Sequence, residues 1–241
     1  QTPKRSSQIL LGDLYFMMND GGVATCLDAK TGDVLWQFQT GAGADANASA
    51  FAAVRDSYDM PALNDEINAA RDVTKTNTYR VETFQAPELG WLGYIDADKV
   101  TFYRSPTRRH TAQSEFDLER VSTLPRVDIL YCYIEPNPAL IAAVVSSGAE
   151  GIVFAGTGAG FLSSVERDAL APVLALSPDR RPVIVRSNRT GNGRVVPRTE
   201  YDQMGLVPGD TLNPQKARIL LMLALTKTRD LGEIRRIFNE Y

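Results

Sequence analysis

Two rhythms of apolar residues divide the chain. Up to about residue 40, short apolar runs alternate with turn residues: ILLGDLYFMM (9–18), VATCL (23–27) and VLWQF (34–38). Asn19-Asp20-Gly21-Gly22 separates the first two and Asp28-Ala29-Lys30-Thr31-Gly32 the second two, both strong turn signals. Three runs and two tight turns predict an antiparallel β-meander, too small to bury a core by itself. Residues 42–53, rich in Ala, Gly, Asn and Ser, read as a linker.

Beyond residue 63 the rhythm changes. Residues 81–103 carry two strand-like runs around turns at Gly90–Gly93 and Asp96–Asp98, the pattern of a hairpin. Residues 105–123 are polar, contain Pro106 and lack an apolar period, so they read as a connection. Then strands at 127–134, 151–155 and 183–187 alternate with helices at 138–147, 163–175, 214–228 and 231–239. Such alternation implies βαβ crossovers and a mainly parallel sheet. Asn137-Pro138 and Asn213-Pro214 each set a capping side chain before a proline at the first helical position. ILLMLAL (219–225) is apolar nearly all round, which predicts a buried helix. The fold class is therefore α/β, with a parallel-sheet C-terminal domain preceded by a β-hairpin segment and a short antiparallel meander. Three parts are expected: 1–62, 63–123 and 124–241.

Composition narrows the function classes. Across 241 residues, 44% are hydrophobic and 23% charged, the balance of a globular chain. A net charge of −3 gives no field to attract a polyanion, so nucleic acid is not an expected partner. The basic residues Arg104, Arg108 and Arg109 form a short cluster that reads as a solvated loop face. No apolar run reaches the roughly 18–20 residues of a membrane-spanning helix. The chain opens at Gln1 without a basic and then apolar leader, as a mature form or a fragment does.

Cys26 and Cys132 show no CxxC spacing, so two free thiols are expected and no metal site. Cys132, inside VDILYCYI (127–134), reads as a small buried hydrophobe. His110, the sole histidine, has no triad partners in the sequence around it and reads as a linker residue. GIVFAGTGAG (151–160) ends a strand on a glycine-rich turn, where open α/β sheets place ligands. Its Gly156-x-Gly158-x-Gly160 lacks the spacing of a dinucleotide fingerprint and reads as a tight turn.

Six strings carry a family resemblance: NDEINAARDVTKTNT (64–78), GWLGYIDADKVTFYRSPTRRHT (90–111), LPRVDILYCYIEPNPALI (124–141), GIVFAGTGAG, RSNRTGNGRVV (186–196) and GDTLNPQKARILLMLALTKT (209–228). Through them residues 63–241 resemble the C-terminal part of a type II L-asparaginase/glutaminase. The resemblance implies hydrolysis of L-asparagine or L-glutamine, no cofactor, a periplasmic or secreted location, and assembly as a homo-oligomer or with another asparaginase chain. It assigns Lys75 as the lysine that supports a nucleophilic threonine; a lysine screened from water can take a proton from a nearby hydroxyl. Without it, Lys75 reads as a surface charge. Glu200 is matched to the glutamate offered to the α-amino group of a neighbouring subunit's substrate, and equally fits a solvated glutamate.

The chain departs from the pattern in two ways. After the glycine turn, where relatives carry polar groups, it has Ala159 and Phe161. The TGGTIA-like and TDT-like segments that hold the family's threonines do not occur in the sequence. A nucleophile and its base must lie within hydrogen-bond reach, so this polypeptide alone is expected to be catalytically incomplete. The alternative is a non-catalytic interaction module on the same scaffold. A second resemblance covers residues 6–43: LDAKTGDVLWQF followed by GAG is similar to one blade of a PQQ-type β-propeller, and no second copy occurs. The strands missing from the N-terminal domain are expected to leave Phe84, Trp91, Leu92, Tyr94, Phe102 and Tyr103 exposed, or covered by the meander around Tyr15, Phe16, Leu35 and Trp36.

Overall fold

A computed structural model describes residues 66–80, 82–96, 99–110, 113–117 and 121–241, together with strand backbone at 7–11, 14–18, 23–28, 34–39 and 62–63. The chain divides into two compact units, Gln1–Phe51 and Ala52–Tyr241.

The first unit is a four-stranded antiparallel sheet in sequence order, β1 (Ser7–Leu11), β2 (Leu14–Met18), β3 (Val23–Asp28) and β4 (Val34–Gln39). The run expected as one strand over 9–18 is two, with Leu11 paired to Leu14 across Gly12-Asp13. Gly-Asp inside an apolar run is itself a turn signal. The expected packing of 9–38 on 81–103 concerns meander side chains, which lie outside the described residues.

The second unit opens with small strands: β5 (Ala62–Leu63), β6 (Glu66–Ile67), β7 (Thr74–Lys75), β8 (Phe84–Gln85), β9 (Gly93–Asp96) and β10 (Lys99–Phe102). The hairpin of β9 and β10 joins an antiparallel sheet of order β10-β9-β6-β5, while β7 and β8 pair separately. Among the described strands β10 lies at the edge of this sheet. Trp91, Phe102 and Tyr103 are exposed, and the Tyr94 ring sits 5.6 Å from Trp91 and 6.1 Å from Tyr103. Leu92 departs from expectation: it is buried against Ile67 and Ala69.

The parallel sheet follows, built of β11 (Val127–Tyr131), β12 (Gly151–Gly156), β13 (Val183–Asn188) and β14 (Val207–Pro208), side by side in that order. Helices α1 (Ala139–Ser146), α2 (Ser164–Leu174), α3 (Thr199–Gln203), α4 (Pro214–Leu225) and α5 (Leu231–Glu240) complete the layers. The two central strands are buried along their whole length, as a sheet covered on both faces requires. Their side chains alternate. Ile152, Phe154 and Ile184 join Ile141, Leu170 and Tyr201 on one face, while Val153, Val183 and Val185 join Leu221, Ala224, Ile234 and Phe238 on the other.

Local signals fix the helix starts. Asn213 caps α4, accepting from the Lys216 amide at 3.0 Å, with Pro214 in its first turn. Ser163 and Glu166 form a reciprocal capping box on α2. Asn137 accepts from the Ala139 amide, and α1 begins one residue after the expected Pro138. The stretch between β13 and α4, expected as a loop, contains α3 and β14; both are too short to leave a periodic signal.

Candidate functional site

Lys75 lies on β7 with Phe84 as its cross-strand partner. It is half-buried, and its ammonium stands 6.0 Å from the Phe84 ring centroid. Beyond it the chain turns back through polar bonds: Thr76 Oγ1 donates to the Thr83 carbonyl at 2.8 Å, and Asn77 Oδ1 accepts from the amides of Tyr79 and Arg80.

The segment leading into β7 is fastened from α4. Lys216 is buried, and its ammonium donates to the carbonyls of Arg71, at 2.8 Å, and Val73. Burial pushes this lysine down to about 8, against the partial support of Asp72. Beside it, Asp210 gathers three guanidiniums: Arg108 at 2.6 Å, Arg194 at 2.7 Å and Arg71 at 3.3 Å. Burial raises the Asp210 carboxyl, but the Arg194 hydrogen bond and the charges of Arg108 and Arg71 outweigh it and hold the group below its usual range. Burial lowers Arg71 to about 10, helped by Arg108, and raises the Asp72 carboxyl.

The reading of the basic cluster as a solvated face is corrected in part: Arg104 is exposed, while Arg108 and Arg109 are half-buried. Arg108 is bound to Asp210, Arg109 to Glu115 and Glu240, and Arg104 donates to the carbonyls of Leu89 and Trp91. The polar stretch that follows is no bare connection either, since Phe116 is buried in the core beside Tyr241.

At the carboxyl end of the parallel sheet the glycine turn closes on itself. Thr157 and Phe161 exchange backbone hydrogen bonds, and Gly160 holds φ 78°. A side chain at Gly156 would lie 2.6 Å from the Gly160 carbonyl carbon, so the turn has no room for one. Arg186, fully buried on β13, donates to the carbonyls of Gly160 and Val196 and stacks 4.0 Å from the Tyr201 ring centroid. The Phe161 ring lies under the Arg198 guanidinium, 4.5 Å away. Asn188 and Thr190 bond each other and the 191–193 loop.

Glu200 lies on α3, half-exposed, 3.7 Å from Arg167. Lys75 and Glu200 thus sit on different elements with different partners. Cys132 is a buried thiol, pushed upward first by burial and then by Glu166, which makes it inert at neutral pH. Among the described residues no His, Cys, Asp and Glu cluster could hold a metal ion, and no helix is long and apolar enough to cross a membrane.

Two family models match the chain: "Asparaginase, N-terminal" over residues 44–108 and "Glutaminase/Asparaginase C-terminal domain" over residues 126–238. The chain is 47% identical to L-asparaginase 2 of Bacillus subtilis over 180 residues, 74% of this chain and 46% of that protein. It is 41% identical to a probable periplasmic L-asparaginase of Haemophilus influenzae, over 76% of this chain and 52% of that one. A solved structure, a probable cytoplasmic L-asparaginase from Campylobacter jejuni, superposes with a TM-score of 0.71 at 40% identity, covering 76% of this chain and 55% of that chain. The chain spans about half the length of these relatives. The C. jejuni protein overturns the periplasmic or secreted location that the resemblance implied, because the likeness extends to proteins described for both compartments and fixes neither. Through residues 44–108 and 126–238, which match both domains of one family, the chain belongs to the glutaminase/asparaginase family.

Proposed function

We propose that this chain is the C-terminal part of an L-asparagine or L-glutamine amidohydrolase that is catalytically incomplete by itself. One observation carries this reading: the chain matches both family domains yet spans about half of its relatives, and its sequence lacks both threonine-bearing segments. Lys75 is its contribution to the chemistry, the base for a threonine supplied by another polypeptide. Lys216 and Asp210 act through it, the first by its bonds to the Arg71 and Val73 carbonyls, the second by its ion pair with Arg71. Glu200 is offered toward the substrate of a neighbouring subunit. Residues 6–43 resemble a single propeller-type blade, a reading with which the antiparallel order of their four described strands agrees.

Mixing the purified chain with an N-terminal asparaginase fragment that carries both threonine segments tests the assignment. Ammonia release from asparagine should appear on mixing and disappear in Lys75→Ala. A mixture that binds but releases ammonia equally well with Lys75→Ala would refute the role of the lysine.

The exposed aromatic row at the β10 edge favours a second reading, an interaction module that associates with another asparaginase chain without chemistry. Capture of a full-length asparaginase, with no activity in any mixture, supports that reading over the first.

A further inference from the structure

Between the 69–72 and 104–110 segments and α4 lies a cavity of about 470 Å³, within the range of small-molecule sites. Leu92, Phe116, Leu220 and Leu223 supply an apolar lining. Its charges do not balance. Six cations line it, Arg71, Arg104, Arg108, Arg109, Arg194 and Lys216, against the two carboxylates of Asp72 and Asp210. With Arg109 paired to Glu115 and Glu240, and Arg104 turned to the carbonyls of Leu89 and Trp91, the inner group of Arg71, Arg108, Arg194 and Lys216 still exceeds its carboxylates by two. Three of those cations share the single carboxylate of Asp210, and the Lys216 ammonium is held by carbonyl oxygens. Arg71 also donates to the main-chain oxygen of Tyr241. Were that oxygen part of a terminal carboxylate, one positive charge would still be left over.

We propose that this cavity is a binding site for a small amphipathic monoanion, an apolar body carrying one carboxylate or sulfonate. The apolar lining takes the body, and the surplus positive charge at the Asp210 cluster takes the head. Arg194 reaches Asp210 through Nε and Arg108 through one Nη, and their side chains remain 63% and 33% exposed. A planar fork with remaining N–H donors can accept a second carboxylate while keeping the first. Excess positive charge beside apolar walls is poorly solvated, as the lowered Arg71 and Lys216 show. An arriving anion offsets that cost, whereas a cation of the same shape adds to it. A free amino acid, charged at both ends and without an apolar body, does not match this lining.

Isothermal titration calorimetry on the whole chain with decanoate, decan-1-ol and decyltrimethylammonium tests the site. One decanoate per chain is expected, bound about tenfold or more tighter than either other probe. Arg108→Gln, and separately the more exposed Arg194→Gln, should weaken decanoate about tenfold and leave decanol unchanged. Ile219→Trp, which adds bulk at the cavity wall, should remove both, with circular dichroism unchanged in all variants. The proposal is overturned if decanoate gives no heat, if decanol binds as tightly, or if binding survives the arginine and tryptophan substitutions. Should the arginine variants unfold, the ranking of the three probes on the unaltered chain still decides.

Discussion

Asp210 is the residue on which the site most depends. It holds φ 51°, a left-handed conformation that aspartate and asparagine tolerate better than other side chains. Asp210→Asn therefore removes charge with little change of backbone. Three guanidiniums then lose their carboxylate, and the loss at pH 7 should be roughly 2–3 kcal/mol after allowing for the exposure of Arg194 and Arg108. The folded pKa of Asp210 lies below its unfolded value. Its contribution is thus full above about pH 4 and lost as pH falls through the folded pKa. Urea titrations of both proteins should converge in acid; a difference that persists there would show that the cost is not electrostatic.

Lys216 is shifted in the same direction, but its shift records a cost of burial where that of Asp210 records a gain. Its folded pKa, about 8, lies below the unfolded lysine value of about 10.4. The burial cost is constant below pH 8 and is relieved as pH rises from 8 toward 10.4, where the unfolded chain holds the proton more firmly. Relative to Lys216→Met, the unaltered chain should gain roughly 2–3 kcal/mol between pH 8 and 10. A pH-independent difference in Tm would contradict this. Neither residue was legible in the sequence. Asp210 meets Arg71 across 139 positions and Lys216 meets the Arg71 carbonyl across 145, and such pairings leave no local periodicity. The role proposed for Lys75 rests on its surrounding string alone, since a lone lysine in a polar stretch reads as a surface charge.

At the scale of elements, the C-terminal α/β order was legible because strands buried on both faces leave unbroken apolar runs, and because Asn-Pro pairs mark where helices begin. Boundaries were less so. VDILYCYI continues past the end of β11 at Tyr131, since Cys132 is buried and its amide still donates to the Ala155 carbonyl of β12. The seam between β12 and α4 depends on one absent side chain. A Cβ at Gly151 would meet Leu221 Cδ2 at 2.8 Å and Val127 Cγ2 at 3.0 Å. Gly151→Ala should cost about 1–3 kcal/mol by overpacking, and Leu221→Ala about 2–5 kcal/mol by leaving a cavity. Together they should cost less than the sum, because the added methyl enters the vacated space. Additive losses in chemical denaturation would place the strain elsewhere.

At the scale of the whole chain, the exposed Trp91, Phe102 and Tyr103 beside an edge strand are a surface that favours association. Light scattering should report a mass above that of one chain, reduced by Phe102→Ser with Tyr103→Ser; a monomer at micromolar concentration would show that these rings are tolerated in water. Family membership was legible from six strings spread over 64–228, whereas compartment was not, since relatives are described for both. The central claim, that this chain holds the supporting lysine of an amidohydrolase without its nucleophile, is tested most directly by ammonia release from asparagine and glutamine with the purified chain alone. The account predicts no release above background, and no difference between the chain and Lys75→Ala. Release that survives repeated purification and vanishes in Lys75→Ala would show that the chain carries a complete site.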